Sequence, residues 1–218
     1  MSHYKTVIFD LDGTLLNTLD DLADAANYAL GEMGWPVRTV DEVRRFVGNG
    51  VANLIARAVP TGTSEADTAK CLSIFQARYL KHMADKTAPY PGIWYLLRGL
   101  RAQGVKTAVV SNKFDGAVKG LCRDYFGPLI PAAAGECATS PKKPDPAMVY
   151  KALEDLRADV RGAVYVGDSD VDIATAKNAG LPCISVTWGF RDEGFLREHG
   201  AETIVHSPLE LEKVLLGE

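Results

Sequence analysis

Several features that mark secreted, membrane and nucleic-acid-binding proteins are missing from this sequence. The chain has only four cysteines in 218 residues and no Cys-x-x-C pair, which disfavours both a disulfide framework and a zinc site. No apolar run approaches the roughly 18 to 20 residues that a membrane helix requires, and no signal-peptide pattern precedes the first apolar run. The net charge of −4 disfavours a nucleic-acid partner. These absences predict a cytoplasmic globular protein that binds neither membrane nor nucleic acid.

What the sequence does contain is a pair of carboxylates at the end of a short apolar run. The run Thr6–Phe9 is β-branched and aromatic and predicts a buried strand, which Asp10, Asp12 and the turn-forming Gly13 follow at once. Ligand sites in open α/β sheets lie at the carboxyl ends of the strands. Because two buried acids without a cation beside them are unfavourable, the pattern favours a divalent metal site. A plain Asp-Gly turn is the alternative interpretation.

Three later segments place polar side chains where a strand ends or a helix begins. The apolar run Thr107–Val110 predicts a second strand that leads into a hydroxyl and an amide. A lysine stands in a stiff proline-containing loop before a predicted helix, and a third apolar run, Ala163–Val166, leads into three acids. We expect these side chains to converge at the strand ends. The segments are Ser111-Asn112, Lys142-Lys143-Pro144 and Gly167-Asp168-Ser169-Asp170-Val171-Asp172.

The order of the secondary-structure patterns predicts an α/β fold with an insertion. Residues 20–83 contain four helical patterns and no convincing strand pattern, whereas helices and strands alternate from Pro91 onward. Alternation of this kind implies parallel βαβ units and a doubly wound, Rossmann-like parallel sheet. We therefore expect residues 1–16 and 88–218 to form the α/β core and residues 17–87 to form an inserted all-helical domain.

Taken in order, the motifs Asp-x-Asp-Gly-Thr, Ser-Asn, Lys-Pro and Gly-Asp-Ser-x-x-Asp resemble those of the haloacid dehalogenase (HAD) superfamily. More narrowly, the chain resembles the phosphoglycolate phosphatase group of that superfamily. The resemblance runs from Val7 to about Val186. It implies a Rossmann-like core with a helical cap domain, a phosphatase that forms an aspartyl-phosphate intermediate, and Mg²⁺ as the cofactor.

The resemblance also implies roles for the core residues. Asp10 would be the nucleophile, and Asp12 would protonate the leaving oxygen and then activate water, although the residues by themselves leave these two roles interchangeable. Mg²⁺ would be bound by Asp10, by the backbone carbonyl of Asp12 and by Asp168. Asp172 would hold a water on the metal or the catalytic lysine. The phosphate-binding residues would be Thr14, Ser111, Asn112 and Lys143, of which Ser111 and Lys143 would also be catalytic.

Substrate choice would lie in the helical insert, because the core motifs handle only the phosphate. The segment that contains Arg44, Arg45 and Asn49 resembles the cap segment of bacterial phosphoglycolate phosphatases, and an arginine there could bind a substrate carboxylate. The alternative is an ordinary helix–loop–helix with solvated arginines. On the first interpretation the partner is a small phosphorylated metabolite, foremost 2-phosphoglycolate, and the protein is a monomer or a homodimer.

Other assignments stay open at this point. A sugar phosphate, a nucleotide or pyrophosphate is an alternative substrate, and a phosphosugar mutase keeps the same two aspartates. A non-catalytic phosphate-binding regulator would have lost the nucleophile, the metal-binding acid or the lysine, and none of these is missing. Asp12 disfavours a dehalogenase, and the absence of lysine between Lys5 and Lys70 disfavours a phosphonoacetaldehyde hydrolase.

Overall fold

The computed structural model describes residues 4–48, 50–137 and 140–217, and its chain divides into two compact units, Met1–Leu16 with Pro89–Glu218 and Asn17–Ala88. Among the residues that it describes, no helix combines the length and the apolar character needed to cross a bilayer. The strands are β1 Thr6–Phe9, β2 Leu16–Asn17, β3 Ala88–Pro89, β4 Lys106–Phe114, β5 Ala132–Glu136, β6 Ala163–Gly167, β7 Cys183–Val186 and β8 Thr203–Val205. The helices are α1 Leu19–Glu32, α2 Val40–Phe46, α3 Val51–Ala58, α4 Glu65–His82, α5 Ile93–Ala102, α6 Asp115–Tyr125, α7 Ala147–Asp155, α8 Asp170–Ala179, α9 Glu193–Glu198 and α10 Pro208–Leu216.

The first unit is built around a six-stranded sheet in the order β5-β4-β1-β6-β7-β8, in which every adjacent pair is parallel. The chain enters at β1, extends one side of the sheet through β4 and β5, and extends the other side through β6, β7 and β8. The direction of winding therefore reverses at β1, and open α/β sheets bind their ligands at such a switch point. The predicted fold class, an α/β fold with a doubly wound parallel sheet, is confirmed.

The carboxyl end of the central strand β1 is aligned with both neighbouring strands. All four of its residues are buried, as expected for a parallel sheet that is covered on both faces. Phe9, its last residue, is aligned with Val109 of β4 on one side and with Val166 of β6 on the other. The residues that follow these three positions therefore lie at one edge of the sheet.

Strand β4 continues beyond the apolar run that predicts it. It covers Lys106–Phe114, so that Ser111, Asn112 and Lys113 lie within the strand and not in a loop after it. The pairing of β4 with β5 shifts register between Val110 and Phe114. Irregularities of this kind redirect side chains at the end of a strand. The polar residues there are held by tertiary hydrogen bonds, which an apolar pattern cannot indicate.

The second unit is helical. Helix α1 packs against α2 and α4, and α3 packs against α2 and α4. The small buried residues Ala25, Ala26 and Ala29 of α1 permit close packing of its neighbours. In α4, the rings of Phe75 and Tyr79 stack with their centroids 5.4 Å apart. Burial of these apolar faces, more than helix propensity, stabilises such short helices.

A buried carboxylate joins the beginning and the end of this helical unit. Asp21, in the first turn of α1, accepts hydrogen bonds from the backbone N–H groups of Lys86 and Thr87 and from the Thr87 hydroxyl, at 2.8–3.1 Å. These bonds satisfy backbone donors that have no helical partner, and hydrogen bonds to a charged acceptor are stronger than neutral ones. The segment that precedes β3 is thereby attached to α1.

Candidate active site

Three carboxylates and one ammonium group meet at the edge of the sheet where β1 and β6 end. Asp10, Asp168 and Asp172 are buried, and each contributes a carboxylate oxygen to a group of atoms that lie within 4.8 Å of one another. Nζ of Lys143 lies 2.8 Å from Oδ1 of Asp10 and 2.8 Å from Oδ1 of Asp172. The described residues that form this cluster therefore carry more negative than positive charge.

Burial, together with the charges of neighbouring groups, perturbs the pKa values of the cluster. Burial raises the pKa of Asp10 to about 7; Lys143 opposes this shift, and the charge of Asp172 adds to it. Burial also raises the pKa of Asp168 well above its usual range, aided by the charges of Asp172 and Asp10. For Lys143, burial lowers the pKa, but the two neighbouring carboxylates together outweigh burial and hold that pKa well above its usual range. A divalent cation would relieve the repulsion among the acids.

Asp172 connects the loop after β6 to Lys143. Its Oδ1 accepts a hydrogen bond from Lys143, while its Oδ2 accepts bonds from the backbone N–H of Asp168 at 3.2 Å and of Ser169 at 3.1 Å. The hydroxyl of Ser169 also donates to Oδ2, at 2.6 Å. Asp172 lies in the first turn of α8, where negative charge is favourable. It therefore orients both the lysine and the loop that carries Asp168.

Tyr165 belongs to the cluster, although the sequence analysis missed it. Lys143 Nζ donates to its hydroxyl at 3.2 Å, and the hydroxyl lies within donating distance of Asp172 Oδ1, at 3.2 Å, and of the carbonyl oxygen of Val110, at 3.3 Å. A tyrosine in a strand that is otherwise Ala, Val and Gly was the available signal, because a buried hydroxyl needs hydrogen-bond partners.

The amide side chain of Asn112 fixes the loop that carries Lys143. Its Oδ1 accepts from the backbone N–H of Lys143 at 2.7 Å, and its Nδ2 donates to the carbonyl oxygen of Lys143 at 3.1 Å. The peptide bond between Lys143 and Pro144 is cis. Because both ends of the amide are used in this way, the side chain of Asn112 serves to position the lysine. A phosphate contact from this residue would come from its backbone N–H.

A second buried lysine, Lys113, was also missed by the sequence analysis. Its Nζ lies 2.9 Å from Oδ1 and 3.1 Å from Oδ2 of Asp12, and its side chain is only 2% exposed. Its backbone N–H donates to the Ser111 hydroxyl oxygen at 3.3 Å. Lysine is almost never fully buried without a partner of opposite charge. The signal in the sequence was its place directly after Ser111-Asn112.

Glycines leave the space that the carboxylates occupy. A Cβ atom added at Gly13 would overlap the carboxylate of Asp168, and one at Gly189 would overlap both Asp168 and the carbonyl oxygen of Gly13. Gly13 also has a φ of +90°, which disfavours any other residue. The Asp168 carboxylate is held by the backbone N–H of Phe190, which donates to its Oδ2 at 2.7 Å. The loop after β7 is thus part of the site.

Thr14 lies in the turn after β1 and is fully buried. Its carbonyl oxygen accepts a hydrogen bond from Nε1 of Trp188 at 3.0 Å. Its hydroxyl oxygen has no hydrogen-bond partner among the residues that the structure describes. A buried hydroxyl without a partner is unfavourable, so this atom is available to a ligand or a water that the turn could admit.

The residues predicted to select the substrate belong to the other unit. Arg44 and Arg45 lie in the last turn of α2 and are exposed, and Arg44 has an oxygen of Asp41 at 3.9 Å. Asn49 lies outside the described residues. The cluster around Asp10 lies in the unit formed by Met1–Leu16 and Pro89–Glu218, which contains none of these three residues.

Residues 7–186 match the family model of the haloacid dehalogenase-like hydrolases. This span covers most of the chain and includes every residue of the cluster. The chain belongs to the haloacid dehalogenase-like hydrolases. The predicted family is therefore confirmed.

Curated relatives of this HAD hydrolase are phosphatases. It is 33% identical to the phosphoglycolate phosphatase of Caulobacter vibrioides, over 97% of this chain and 90% of that one. It is 36% identical to the phosphoglycolate phosphatase of Rhodospirillum rubrum, over 87% of this chain and 82% of that one. The predicted enzyme class, a phosphatase of the HAD superfamily, is confirmed.

Solved structures show the same fold over the full length. A protein from Lactobacillus delbrueckii subsp. bulgaricus, assigned as a phosphoglycolate phosphatase, is 37% identical and superposes with a TM-score of 0.95 over 100% of both chains. CbbY from Rhodobacter sphaeroides in complex with phosphate is 28% identical, with a TM-score of 0.72 over 95% of this chain and 96% of that one. The fold of the HAD hydrolase is thus shared from end to end.

Proposed function

We propose that this enzyme is a magnesium-dependent phosphomonoester hydrolase that transfers the phosphoryl group of its substrate to Asp10 and then to water. The observation that supports this most is the placement of the Asp10 carboxylate at the switch point of the sheet. An ammonium nitrogen lies 2.8 Å from it, and two further carboxylates complete a group within 4.8 Å. A nucleophile, a counter-charge and oxygen donors for a metal are the parts that a two-step phosphoryl transfer requires.

The oxygen donors fit Mg²⁺. Asp10 and Asp168 offer carboxylate oxygens, and Asp12 would offer its backbone carbonyl oxygen; oxygen donors are those that Mg²⁺ prefers. Burial raises the pKa of Asp10 to about 7, and the charge of Asp172 adds to this shift, so a cation beside Asp10 would favour its ionised form. Mg²⁺, when bound, would supply that charge and polarise an oxygen of the phosphoryl group. Ca²⁺ favours longer bonds and looser geometry, so we expect it to replace Mg²⁺ poorly.

In the first step, Asp10 attacks the phosphorus atom and the bond to the leaving oxygen breaks. The Lys143 ammonium favours the charged, nucleophilic form of Asp10 and lies beside the transferred group, where it offsets negative charge. Asp172 and Tyr165 keep that ammonium in place. We assign the phosphoryl oxygens to Lys143, to the Ser111 hydroxyl, to the backbone N–H of Asn112 and to the Thr14 hydroxyl.

Asp12 moves the protons in both steps. It gives a proton to the leaving oxygen in the first step, and in the second it takes one from the water that attacks the aspartyl-phosphate. The bond between phosphorus and the Asp10 oxygen then breaks and returns Asp10 to its carboxylate form. A positioned acid and base of this kind contributes about 10²- to 10⁴-fold in rate.

We propose 2-phosphoglycolate as the substrate and the unit Asn17–Ala88 as a cap domain that selects it. The names of the relatives from Caulobacter vibrioides and Rhodospirillum rubrum support this substrate. The molecule carries a carboxylate besides its phosphate, and an arginine binds carboxylates through paired donors. Arg44 and Arg45 are exposed and can supply those donors, with Asn49 beside them in the sequence.

A sugar bisphosphate is the second candidate substrate. One observation favours it: a mutant of CbbY from Rhodobacter sphaeroides, 26% identical to this chain with a TM-score of 0.74, was solved with xylulose-(1,5)-bisphosphate. The same core chemistry would serve this substrate, because the phosphoryl group is handled by the α/β unit. The two candidates differ in the group that the cap domain would bind, a carboxylate in one and sugar hydroxyls with a second phosphate in the other.

The test combines a substrate panel with a trap of the intermediate. Phosphate release from 2-phosphoglycolate, xylulose bisphosphate, nucleotides and pyrophosphate is measured with Mg²⁺, with Ca²⁺ and after chelation. We expect release to need Mg²⁺, with the highest kcat/KM on 2-phosphoglycolate. Asp10→Asn should lose roughly 10⁴-fold or more in kcat and should lose the phosphate that mass spectrometry detects on the wild-type peptide. Normal turnover by a folded Asp10→Asn enzyme, or by chelated enzyme, would refute the proposal.

A further inference from the structure

Two lysines are buried among the described residues of the α/β unit, and only one of them, Lys143, has a role in the proposed function. Lys113 is as deeply buried as Lys143, and Nζ contacts both oxygens of Asp12, at 2.9 and 3.1 Å. Lys143, in contrast, contacts Asp10 and Asp172. The two lysines thus contact different acids of the site.

We propose that Lys113 is a positioning residue for Asp12: it holds the proton-transferring carboxylate in one place during both steps of the reaction. This inference rests on the proposed function, in which Asp12 is the acid and the base. Lys113 touches neither the substrate nor the transferred phosphoryl group in this proposal. It acts through Asp12 alone.

Asp12 needs such a partner because little else holds its carboxylate. Its side chain is 16% exposed, against 10% for Asp10 and 0% for Asp172, and Gly13 follows it with a φ of +90°. Among the described residues, Lys113 is the only one that donates a side-chain hydrogen bond to it. A partly exposed carboxylate without such a partner would exchange among rotamers. Misplacement of a catalytic group by about 1 Å can reduce the rate about 100-fold.

The backbone around Lys113 is suited to fixing its side chain. Lys113 lies in β4, whose pairing with β1 aligns Val109 with Phe9. The strand continues past this point to Phe114, so Lys113 lies beyond the end of β1 on the neighbouring strand. The Ser111 hydroxyl also accepts the backbone N–H of Lys113. A lysine held in a strand places a charge more reproducibly than one in a loop.

An ion pair that merely stabilises the fold is the competing explanation, since removing one partner of a buried pair is costly in either case. The two explanations differ in which chemical step they slow. With p-nitrophenyl phosphate the leaving group departs without a proton, so formation of the phosphoenzyme does not depend on Asp12. Its decay does, because the attacking water must lose a proton to Asp12. Loss of positioning therefore slows decay selectively, whereas general damage slows both steps.

The experiment measures both steps in one double-mutant cycle. Nitrophenolate release in the first turnover gives the rate of phosphoenzyme formation, and quenched phosphoprotein gives its rate of decay, for wild type, Lys113→Met, Asp12→Asn and the double variant. We expect Lys113→Met to slow decay about 10- to 100-fold and formation less than about threefold. In the Asp12→Asn background the same change should alter decay less than about twofold, because a residue that acts only through Asp12 has nothing left to position.

Controls separate failure of this inference from failure of the proposed function. Lys119→Met removes an exposed lysine of α6 that pairs with Asp115, and both rates should stay unchanged.

If wild type forms no phosphoenzyme, the proposed function fails. If Lys113→Met slows formation and decay equally, or slows decay as much in the Asp12→Asn background as in wild type, the positioning role is overturned. If Lys113→Met does not fold, Lys113→Arg replaces it, because arginine keeps the positive charge. We expect Lys113→Arg to slow decay of the phosphoenzyme by a smaller factor, and this slowing must disappear in the Asp12→Asn background.

Discussion

The two units of this phosphatase hold their candidate residues in opposite ways. In the α/β unit, Asp10, Lys143 and Asp172 are 7%, 4% and 0% exposed, and Nζ of Lys143 lies 2.8 Å from a carboxylate oxygen of each acid. In the helical unit, the side chain of Arg44 is 46% exposed and lies 3.9 Å from a carboxylate oxygen of Asp41. Bond-making chemistry needs fixed charges in a buried site, whereas recognition of a substrate group can be performed by solvated side chains.

Mutations in the two units should therefore differ in how many substrates they affect. Changes in the α/β unit should affect every substrate alike, because each buried group is tied to the others. Changes at Arg44 or Arg45 should affect only a substrate that carries a carboxylate. The predictions below test that division, and they run from the largest expected effect to the smallest.

The largest effect is expected from a single methyl group at Gly189. The new Cβ atom of Gly189→Ala would overlap Asp168 and the carbonyl oxygen of Gly13, so the carboxylate that we propose as a Mg²⁺ ligand must move. We expect Mg²⁺ to bind about 10- to 100-fold more weakly and kcat to fall on every substrate. Titration of activity against Mg²⁺ concentration gives the first value.

Gly116→Ala in α6 is the matched control for this prediction. A Cβ atom there would meet nothing within 4 Å, so activity should not change. An alanine in a helix is also more stable than a glycine by about 0.5–1 kcal/mol. Equal Mg²⁺ affinity of wild type and Gly189→Ala would show that the loop after β7 does not hold the metal site.

Proton binding by the buried acids should make the metal-free protein less stable as the pH rises. The pKa of Asp10 is raised from 3.8 to about 7, so between these values the folded state holds a proton that the unfolded state has released. The free energy of unfolding therefore falls from about pH 4 to pH 7, by at most about 4 kcal/mol from this group. Mg²⁺ binds the ionised acids and should raise Tm more at pH 8 than at pH 5.

Thermal unfolding with and without Mg²⁺ at the two pH values measures this effect. Asp10→Asn is the control, because it removes one of the two acids whose pKa is raised, and it should reduce the fall in stability of the metal-free protein between pH 4 and pH 7. A Mg²⁺-induced rise in Tm that is the same at pH 5 and pH 8 would contradict the assignment of a metal to these carboxylates.

A smaller loss is expected when Lys143 loses one of its hydrogen-bond partners. Tyr165→Phe removes the hydroxyl that lies 3.2 Å from Nζ, while the salt bridges to Asp10 and Asp172 stay. One hydrogen bond to a charged group is worth about 1.5–3 kcal/mol, and part of that should appear as a roughly 3- to 30-fold fall in kcat. KM should stay within about twofold for all substrates, and a rise in KM alone would contradict a role through Lys143.

The smallest effect, and the most selective, is expected in the helical unit. Arg44→Ala and Arg45→Ala should raise KM for 2-phosphoglycolate by roughly 10-fold, the value of about 1.4 kcal/mol in binding, and leave p-nitrophenyl phosphate unaffected. Arg57→Ala is a control within the same unit, since its guanidinium donates to the carbonyl oxygen of Phe46. Equal losses of activity on both substrates would show that these arginines do not select the substrate. No loss of activity on either one would favour the sugar bisphosphate as the substrate.

Some parts of the candidate site can be predicted from the sequence, and others cannot. The strand patterns at Thr6–Phe9 and Ala163–Val166 predict where buried strands end, and acids directly after them predict a charged edge; the structure brings Asp10, Asp168 and Asp172 together there. The part of β4 after Val110 cannot be predicted from an apolar pattern, because Ser111, Asn112 and Lys113 are polar. Asn112 is held there by Lys143, which lies far along the chain.

The sequence by itself determined the family, the doubly wound fold and the order of the motifs, because hydrophobic periodicity and motif spacing are local properties of the chain. Only the tertiary structure decided which lysine pairs with which acid. Lys143 is 133 residues from Asp10 in the chain, and Lys113 is 101 residues from Asp12. Such pairs form when parallel strands end at one edge and burial removes water from the charges. The hydroxyl of Tyr165 and the glycine at 189 acquire their roles in the same way, from neighbours that no stretch of sequence contains.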